Sequence, residues 1–143
     1  MLTNPHCTWI IPPMKALLLI ACILPSHVMA NEGLDQEVEI NEGLITIRMA
    51  NAIRNACPEI SARLVEAFIF LKSLEIRALK LGYTSAQIKK FINNAEEKDR
   101  VLKFSQARLT NLGVLPDQPA TYCTVGLAEI QIGSAIGKLL KAK

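Results

Sequence analysis

The chain has 143 residues, a formal net charge of +3 and 50% hydrophobic residues, of which few are aromatic. This length favours a single domain, and the hydrophobic fraction excludes intrinsic disorder. The weak positive charge does not favour a nucleic-acid partner. The 7 glycines and 7 prolines are too few for a collagen-like or low-complexity chain.

The segment that begins at Met14 has the pattern of a secretory signal peptide. Met14-Lys15 is followed by residues 16–24, which have no polar side chain, and then by Pro25 and the small residue Ala30. This apolar run is too short to span a membrane, which takes about 20 residues. We expect cleavage after Ala30, which leaves a mature domain of residues 31–143. Residues 1–13 do not fit a signal peptide, so we interpret Met14 as the true start.

A second interpretation of this segment concerns Cys22. Residues 19–22 fit a lipobox, in which Cys22 would carry lipid and become the first residue, but Ile-Leu-Pro follows instead of a polar tether. We therefore expect a periplasmic or secreted protein, with a lipoprotein anchored through Cys22 as the alternative. No later segment is predicted to cross a membrane.

Residues 31–143 contain no histidine and two cysteines, Cys57 and Cys123. Histidine is the usual general base near neutral pH and a common metal ligand, so Ser-His-Asp, Cys-His and His-metal sites are excluded within this segment. In an oxidising compartment an even pair of cysteines predicts a disulfide. We expect Cys57 to pair with Cys123.

Apolar residues at helical spacing predict four to five helices. The first covers about 37–56 and ends at Cys57-Pro58, because the residue before a proline avoids the helical conformation. The second extends from Pro58 to Gly82, and its broad apolar face predicts the central, most buried helix. That face consists of Ile60, Leu64, Phe68, Leu71, Leu74 and Ala78, widened by Val65, Ile69, Ile76 and Leu79.

Two shorter-range signals place the remaining helices. Thr84 and Gln87 form a capping box for a short third helix, and a fourth helix ends before Gly113. The last helix is predicted over about 119–140, where glycines on one side suggest the close approach of another helix. No strand-like alternation is present, so the predicted fold class is all-α: a single small bundle tied by one disulfide.

Three sets of residues could take part in chemistry or in binding. Glu129 lies on the apolar side of the last helix, where a carboxylate needs a partner or a raised pKa. We expect a buried ion pair with Arg54 or Arg63. Phe70 falls in the polar stripe of the second helix, which indicates either a covering neighbour or an aromatic contact for a partner. The third set, Glu96, Glu97 and Asp99, suits the start of a helix better than a metal site.

The acidic residues are concentrated near the start of the mature domain. Residues 31–42 contain five acidic residues and no basic ones. We interpret them as a solvated leader into the first helix, with folding back onto the basic remainder as the alternative.

Several short motifs in the chain are similar to those of a known family. They are Ile53-Arg54-x-x-Cys57-x-x-Ile60-x-Ala62-Arg63, Leu81-Gly82-Tyr83, Glu97-Lys98-x-Arg100, Gly113-Val114, Tyr122-Cys123-x-x-Gly126-x-x-Glu129-Ile130 and Ser134-x-Ile136-Gly137-x-Leu139-Leu140. Over residues 34–140 the chain resembles a family of small exported alphaproteobacterial proteins known only as domain of unknown function 5333. The resemblance implies export and paired cysteines, and it implies no activity.

The expected function is a non-enzymatic binding or envelope-associated module, whose partner is an envelope or exported protein. No catalytic residue, cofactor or metal ligand is predicted. An inhibitor or immunity-type protein against an exported enzyme or toxin is the alternative. A carboxylate-based enzyme centred on Glu129 is less favoured.

Overall fold

A computed structural model describes residues 33–143 and shows a helical bundle with one small sheet. The predicted signal peptide, its cleavage after Ala30 and the lipobox at Cys22 lie outside the described residues. The helices are α1 (Val38–Ala56), α2 (Leu64–Lys80), α3 (Ser85–Asn93), α4 (Ala95–Asn111) and α5 (Pro119–Ile132); the strands are β1 (Ile60–Ala62) and β2 (Leu140–Ala142). Single 3-10 turns occupy Leu34–Gln36 and Gly137–Leu139. The all-α prediction is confirmed, with this small sheet as an addition.

The central helix is α1, which packs against α2, α4 and α5. Its buried side chains Ile45, Met49 and Ile53 are spaced four residues apart and enter the main core cluster. Leu109 of α4 and Val125 of α5 belong to the same cluster. The prediction that the second helix is the most buried is therefore wrong, since only Leu74 and Ala78 of α2 are buried.

One disulfide ties the end of α1 to α5. The Cys57 and Cys123 sulfurs are 2.05 Å apart and the two Cα atoms 5.0 Å apart. Cys57 is fully buried, and its backbone N–H donates to the Ile53 carbonyl at the end of α1. The cysteines thus pair as their number predicts, and the bond closes a loop over the larger part of the bundle.

The small sheet overturns two predicted boundaries. Residues 60–62 do not continue a helix from Pro58, because they pair antiparallel with residues 140–142. Ile60 faces Ala142 in this register, and Leu140 faces Ala62. Ile60 and Leu140 are both buried in the main core, so the pairing satisfies backbone groups while it buries two large apolar side chains.

The last helix ends at Ile132, eight residues earlier than predicted. Gly133 has a φ of 64°, in the left-handed region that favours glycine. The N–H groups of Gly133 and Ser134 donate to the carbonyls of Ile130 and Glu129, which completes the helix cap. The chain then reverses, and Gly137 passes so close to the Glu129 carbonyl that a Cβ there would be 1.9 Å from the oxygen.

A different glycine of α5 provides the close approach that the sequence suggests. A Cβ on Gly126 would lie 2.5 Å from atoms of both Ile53 and Ile60. The missing side chain therefore lets α5 pack directly on α1 and β1. The predicted role of glycine is right at Gly126, whereas Gly133 and Gly137 belong to the turn after the helix.

The buried amide of Asn41 holds the start of the described chain in place. Its Nδ2 donates to the carbonyls of Leu34, Asp35 and Glu37 at 2.8–3.0 Å. Its Oδ1 accepts a hydrogen bond from the Arg100 guanidinium on α4. Because every polar atom of this side chain is used, Asn41 can be buried at the α1–α4 contact without an unsatisfied group.

Candidate functional site

The outer face of α2 exposes a group of large apolar side chains. Seven large apolar side chains there have exposed fractions from 43% to 71%. We call this set the α2 surface; it consists of Leu64, Val65, Phe68, Ile69, Leu71, Ile76 and Leu79. Scattered exposed apolar residues are normal in soluble proteins, whereas a larger group of them on one helix face is a candidate interaction site.

The α2 surface arises because the apolar arc of the helix is wider than the side that packs. Leu74 and Ala78 face the protein body, where Leu74 lies against Gly43 of α1. At 100° per residue, Leu64 and Phe68 lie roughly 80–120° around the helix from Leu74. They share the predicted apolar face but have no neighbouring element among the described residues.

A charged pair lies within this apolar arc. Lys72 and Glu75 form an ion pair of 2.6 Å, with side chains 53% and 38% exposed. Neither residue belongs to the polar stripe that the sequence predicts for this helix, which consists of Glu59, Arg63, Glu66, Ser73, Arg77 and Lys80. The position of Lys72 and Glu75 among the apolar side chains is the one signal in the sequence that this face of α2 is exposed to solvent.

Phe70, the predicted partner contact, points elsewhere. It is half-buried and packs against the main core cluster, so a covering neighbour accounts for its place in the polar stripe. The exposed aromatic residue of α2 is Phe68, two positions earlier and 68% exposed. Of the two alternatives that the sequence leaves open for Phe70, the structure shows the covering neighbour.

Glu129 does not form the predicted ion pair. It is buried, with 9% of its surface exposed, but no ion pair between described residues joins it to Arg54 or Arg63. Both arginines are exposed, and Arg54 instead donates from Nε to Asn51 Oδ1 at 2.9 Å. Glu129 lines a cavity of about 440 Å³ together with Glu42, Arg108 and Ser134.

Two of the three charged residues that line this cavity, Glu42 and Arg108, pair with each other. The Arg108 guanidinium donates to both carboxylate oxygens of Glu42, with Nη2 to Oε1 at 2.6 Å. This hydrogen bonding lowers the pKa of Glu42 below its ordinary value of 4.5, against the opposing effect of partial burial. Hydrogen bonding to Glu42 likewise raises the pKa of Arg108. The arrangement places a doubly hydrogen-bonded ion pair beside Glu129.

The acidic start of α1 contacts the basic body of the protein at three points. Glu39 pairs with Arg77 at 2.5 Å, Glu42 pairs with Arg108, and Glu37 accepts a hydrogen bond from the Tyr83 hydroxyl at 3.0 Å. The alternative that this segment folds back is therefore the one that the structure shows.

An apolar groove of about 690 Å³ lies between α1, α3 and α4. Leu44, Ile47 and Phe91 contribute to its apolar wall. Two cations of the rim, Arg48 and Lys98, form no ion pair with a described residue. The helix that forms one wall, α3, has a complete capping box between Thr84 and Gln87 but no fully buried side chain.

The acidic residues near the start of α4 serve the helix and its neighbours. Asn94 caps the helix by accepting from the N–H groups of Glu96 and Glu97. Glu97 pairs with Arg100 at 2.7 Å, and Asp99 pairs with Lys103 at 2.7 Å. Within residues 33–143 no group of three or more His, Cys, Asp or Glu side chains is arranged to hold a metal ion.

A helix can cross a membrane only if it is both long and apolar, and the helices of residues 33–143 can be compared with that requirement. None of them combines the length and the apolar character that a membrane crossing requires. The disulfide is compatible with an extracellular location.

The fold and this surface define a small, disulfide-tied helical domain with an apolar helix face that no other element among residues 33–143 covers. The chain belongs to a family of unknown function (DUF5333), whose model matches residues 32–141. No curated protein matches the chain. No solved structure matches it either.

Proposed function

We propose that this protein is an exported, non-enzymatic module that binds a protein partner through the α2 surface. The observation that carries the proposal is the exposure of Leu64, Val65 and Phe68, each 68% or more, on a rigid helix of a disulfide-tied domain. Leaving such side chains in water costs free energy that a partner recovers by covering them, at about 25 cal/mol for each Å². Aromatic residues at the centre of such patches often dominate binding.

Export is supported by two independent features. The pattern from Met14 to Ala30 is that of a signal peptide, and the disulfide is typical of oxidising compartments. We therefore propose a periplasmic or secreted location, with anchoring through a lipidated Cys22 as the alternative. An intact mass that begins at Asn31 supports cleavage, and a lipid-modified Cys22 supports the anchor.

A non-enzymatic role is supported by the chemistry of the cavity beside Glu129. The residues that could assist a carboxylate there, Glu42 and Arg108, are committed to each other by two hydrogen bonds. The mature segment also lacks histidine, the usual general base near neutral pH.

The test uses the oxidised mature protein, residues 31–143, as bait in an extract of the cells that produce it. Phe68→Asp places a charge in the centre of the α2 surface. Phe104→Asp is the matched control, because Phe104 is also exposed, at 49%, but lies on α4. Circular dichroism establishes that both variants fold.

We expect the wild-type bait and Phe104→Asp to capture the same protein and Phe68→Asp to lose it. Capture that survives Phe68→Asp would contradict the assignment of this surface. If the captured protein is an exported hydrolase or toxin whose activity falls on binding, the inhibitor or immunity alternative is supported over an envelope module.

A further inference from the structure

We propose that the partner on the α2 surface is a second copy of this chain, bound with its α2 antiparallel to the first. The proposal rests on the proposed function, because it uses the same surface. The pattern of apolar and charged side chains along α2 favours a second copy as the partner.

The exposed face of α2 contains a seam with the spacing of a coiled coil. Its positions are Val65, Phe68, Lys72, Glu75 and Leu79, which alternate by three and four residues. This spacing keeps one narrow line of side chains toward a second helix over the whole length of α2. Ile69 and Ile76 flank the seam on the side away from the protein body, and both are exposed.

The two charges in the seam make it complementary to itself. A two-fold axis that crosses α2 midway between Lys72 and Glu75 brings each Lys72 opposite Glu75 of the second copy. The same axis brings Phe68 opposite Leu79 of the second copy, and the reverse. In a two-fold interface every contact occurs twice, so one register yields two charge pairs and two apolar pairs.

The charge pattern also selects this arrangement over other occupants. Two α2 helices side by side in parallel would bring Lys72 against Lys72 and Glu75 against Glu75, and such juxtapositions of like charge are unfavourable. Insertion of the α2 surface into a lipid layer would carry Lys72 and Glu75 into the apolar phase, where charged side chains are costly. In the antiparallel pair each charge meets its opposite instead.

The ion pair inside one copy is compatible with this contact. Lys72 and Glu75 are already 2.6 Å apart and partly exposed, so the approach of a second copy closes a ring of four alternating charges. Glu66 and Ser73 of the polar stripe lie roughly 120–140° around the helix from Leu79 of the seam, outside the contact, and stay in water.

The test is sedimentation velocity on the oxidised mature protein, residues 31–143, over a wide range of concentration. We expect a dimer for the wild type. Lys72→Glu places two carboxylates opposite each other at each charge contact, and Glu75→Lys places two ammonium groups there. Each variant alone should therefore dimerise about tenfold more weakly or not at all.

Two further samples, a mixture of the single variants and the double variant, decide whether the two charges contact each other between copies. An equimolar mixture of Lys72→Glu and Glu75→Lys chains should form a heterodimer, because every facing pair is then of opposite charge. The double variant Lys72→Glu/Glu75→Lys should again dimerise with itself. A merely structural role of the ion pair within one helix would not restore association in the mixture of single variants.

A monomeric wild type, a dimer that both single variants leave unchanged, or a mixture that stays monomeric would each overturn the proposal. These outcomes are distinguishable from failure of the proposed function. A monomeric protein that still captures a different, Phe68-dependent partner retains the binding role and loses only the second copy as its occupant. Co-flotation of a monomeric wild type with lipid vesicles would overturn the second-copy proposal in favour of a membrane surface.

Discussion

Glu42 on α1 and Arg108 on α4 form an ion pair in which the guanidinium donates to both carboxylate oxygens. The pair joins the acidic start of α1 to the basic body, as the Glu39–Arg77 pair does toward α2. It also forms one wall of the cavity in which Glu129 is buried. The acidic segment is thus part of the bundle rather than a separate leader.

The Glu42–Arg108 pair should make stability depend on pH at the acidic end. The pKa of Glu42 is lowered in the folded state from its ordinary value of 4.5, so the unfolded chain takes up the proton first as the pH falls. The contribution of the pair is complete above that ordinary value and disappears as the pH falls through the lowered pKa of the folded state. Both side chains are more than 40% exposed, so the coupling should be no more than about 1 kcal/mol.

A double-mutant cycle with Glu42→Gln and Arg108→Gln measures this coupling from urea unfolding. We expect a favourable coupling energy at neutral pH that vanishes in acid. A coupling of the same size at both pH values would show that the interaction does not depend on the Glu42 charge.

Loss of the disulfide should destabilise the bundle strongly. Cys57 and Cys123 are separated by 66 positions, and a closed loop of this length restricts the unfolded chain by about 4 kcal/mol in loop-entropy models. The double substitution Cys57→Ala/Cys123→Ala should lower the free energy of unfolding by that order, as measured in urea. Reduction of the wild type should have a similar effect, and an unchanged unfolding midpoint on reduction would contradict the bond's stabilising role.

Gly126 should not tolerate even a methyl group. The new Cβ would lie 2.5 Å from Cγ2 of Ile53, a branch atom in the fully buried core that cannot move away freely. Gly126→Ala should therefore cost about 1–3 kcal/mol of unfolding free energy, despite the better helix propensity of alanine.

Gly43→Ala is the matched control within α1. The three atoms nearest its Cβ would be the two methyl carbons and Cγ of Leu74, and a flexible leucine side chain can shift. We expect a smaller cost than at Gly126, partly offset by about 1 kcal/mol of helix propensity. Equal losses at the two glycines would contradict this difference in packing.

Truncation to alanine should lower the free energy of unfolding much more at Leu74 than at Phe68. Phe68 is 68% exposed, whereas Leu74 is 9% exposed. In dilute solution Leu74→Ala should cost about 2–5 kcal/mol of unfolding free energy, and Phe68→Ala should cost less than about 0.5 kcal/mol. A large loss at Phe68 under monomeric conditions would mean that the α2 surface is covered within the chain.

The local boundaries of several helices follow from short-range signals. Cys57-Pro58 ends α1, Thr84 and Gln87 cap α3, and Gly113 terminates α4 with a φ of 101°. Each signal acts through hydrogen bonds or backbone angles within a few residues, so it can be recognised in the sequence alone.

The β1–β2 pairing and the end of α5 depend on long-range contacts and were not predictable in this way. Two strands of three residues are too short to show alternation, and they lie 80 positions apart where Ser61 faces Lys141. After Gly133, Ile136 and Leu140 continue the apolar spacing of a helix. Both are buried, but Ile136 lies in a turn and Leu140 lies in β2.

Burial of α2 was mispredicted for a different reason. Periodicity identifies which side chains share a face, but it does not reveal how many neighbours that face has. Among residues 33–143, the elements packed on α2 cover only the side of Leu74 and Ala78, and the remaining apolar arc is the α2 surface. Glu129 illustrates the same limit, since its predicted burial is observed but its predicted ion pair with Arg54 or Arg63 is absent from the described residues.

Site-specific photocrosslinking in the producing cells tests most directly whether the α2 surface is covered by protein. A photoreactive residue replaces Phe68 in one variant and Glu66 in the control, which lies on the exposed polar stripe of the same helix. We expect a discrete adduct from position 68 and none from position 66, with an adduct of twice the chain's own mass if the partner is a second copy. The absence of an adduct at position 68, or equal labelling at both positions, would contradict a protein-binding role for the α2 surface.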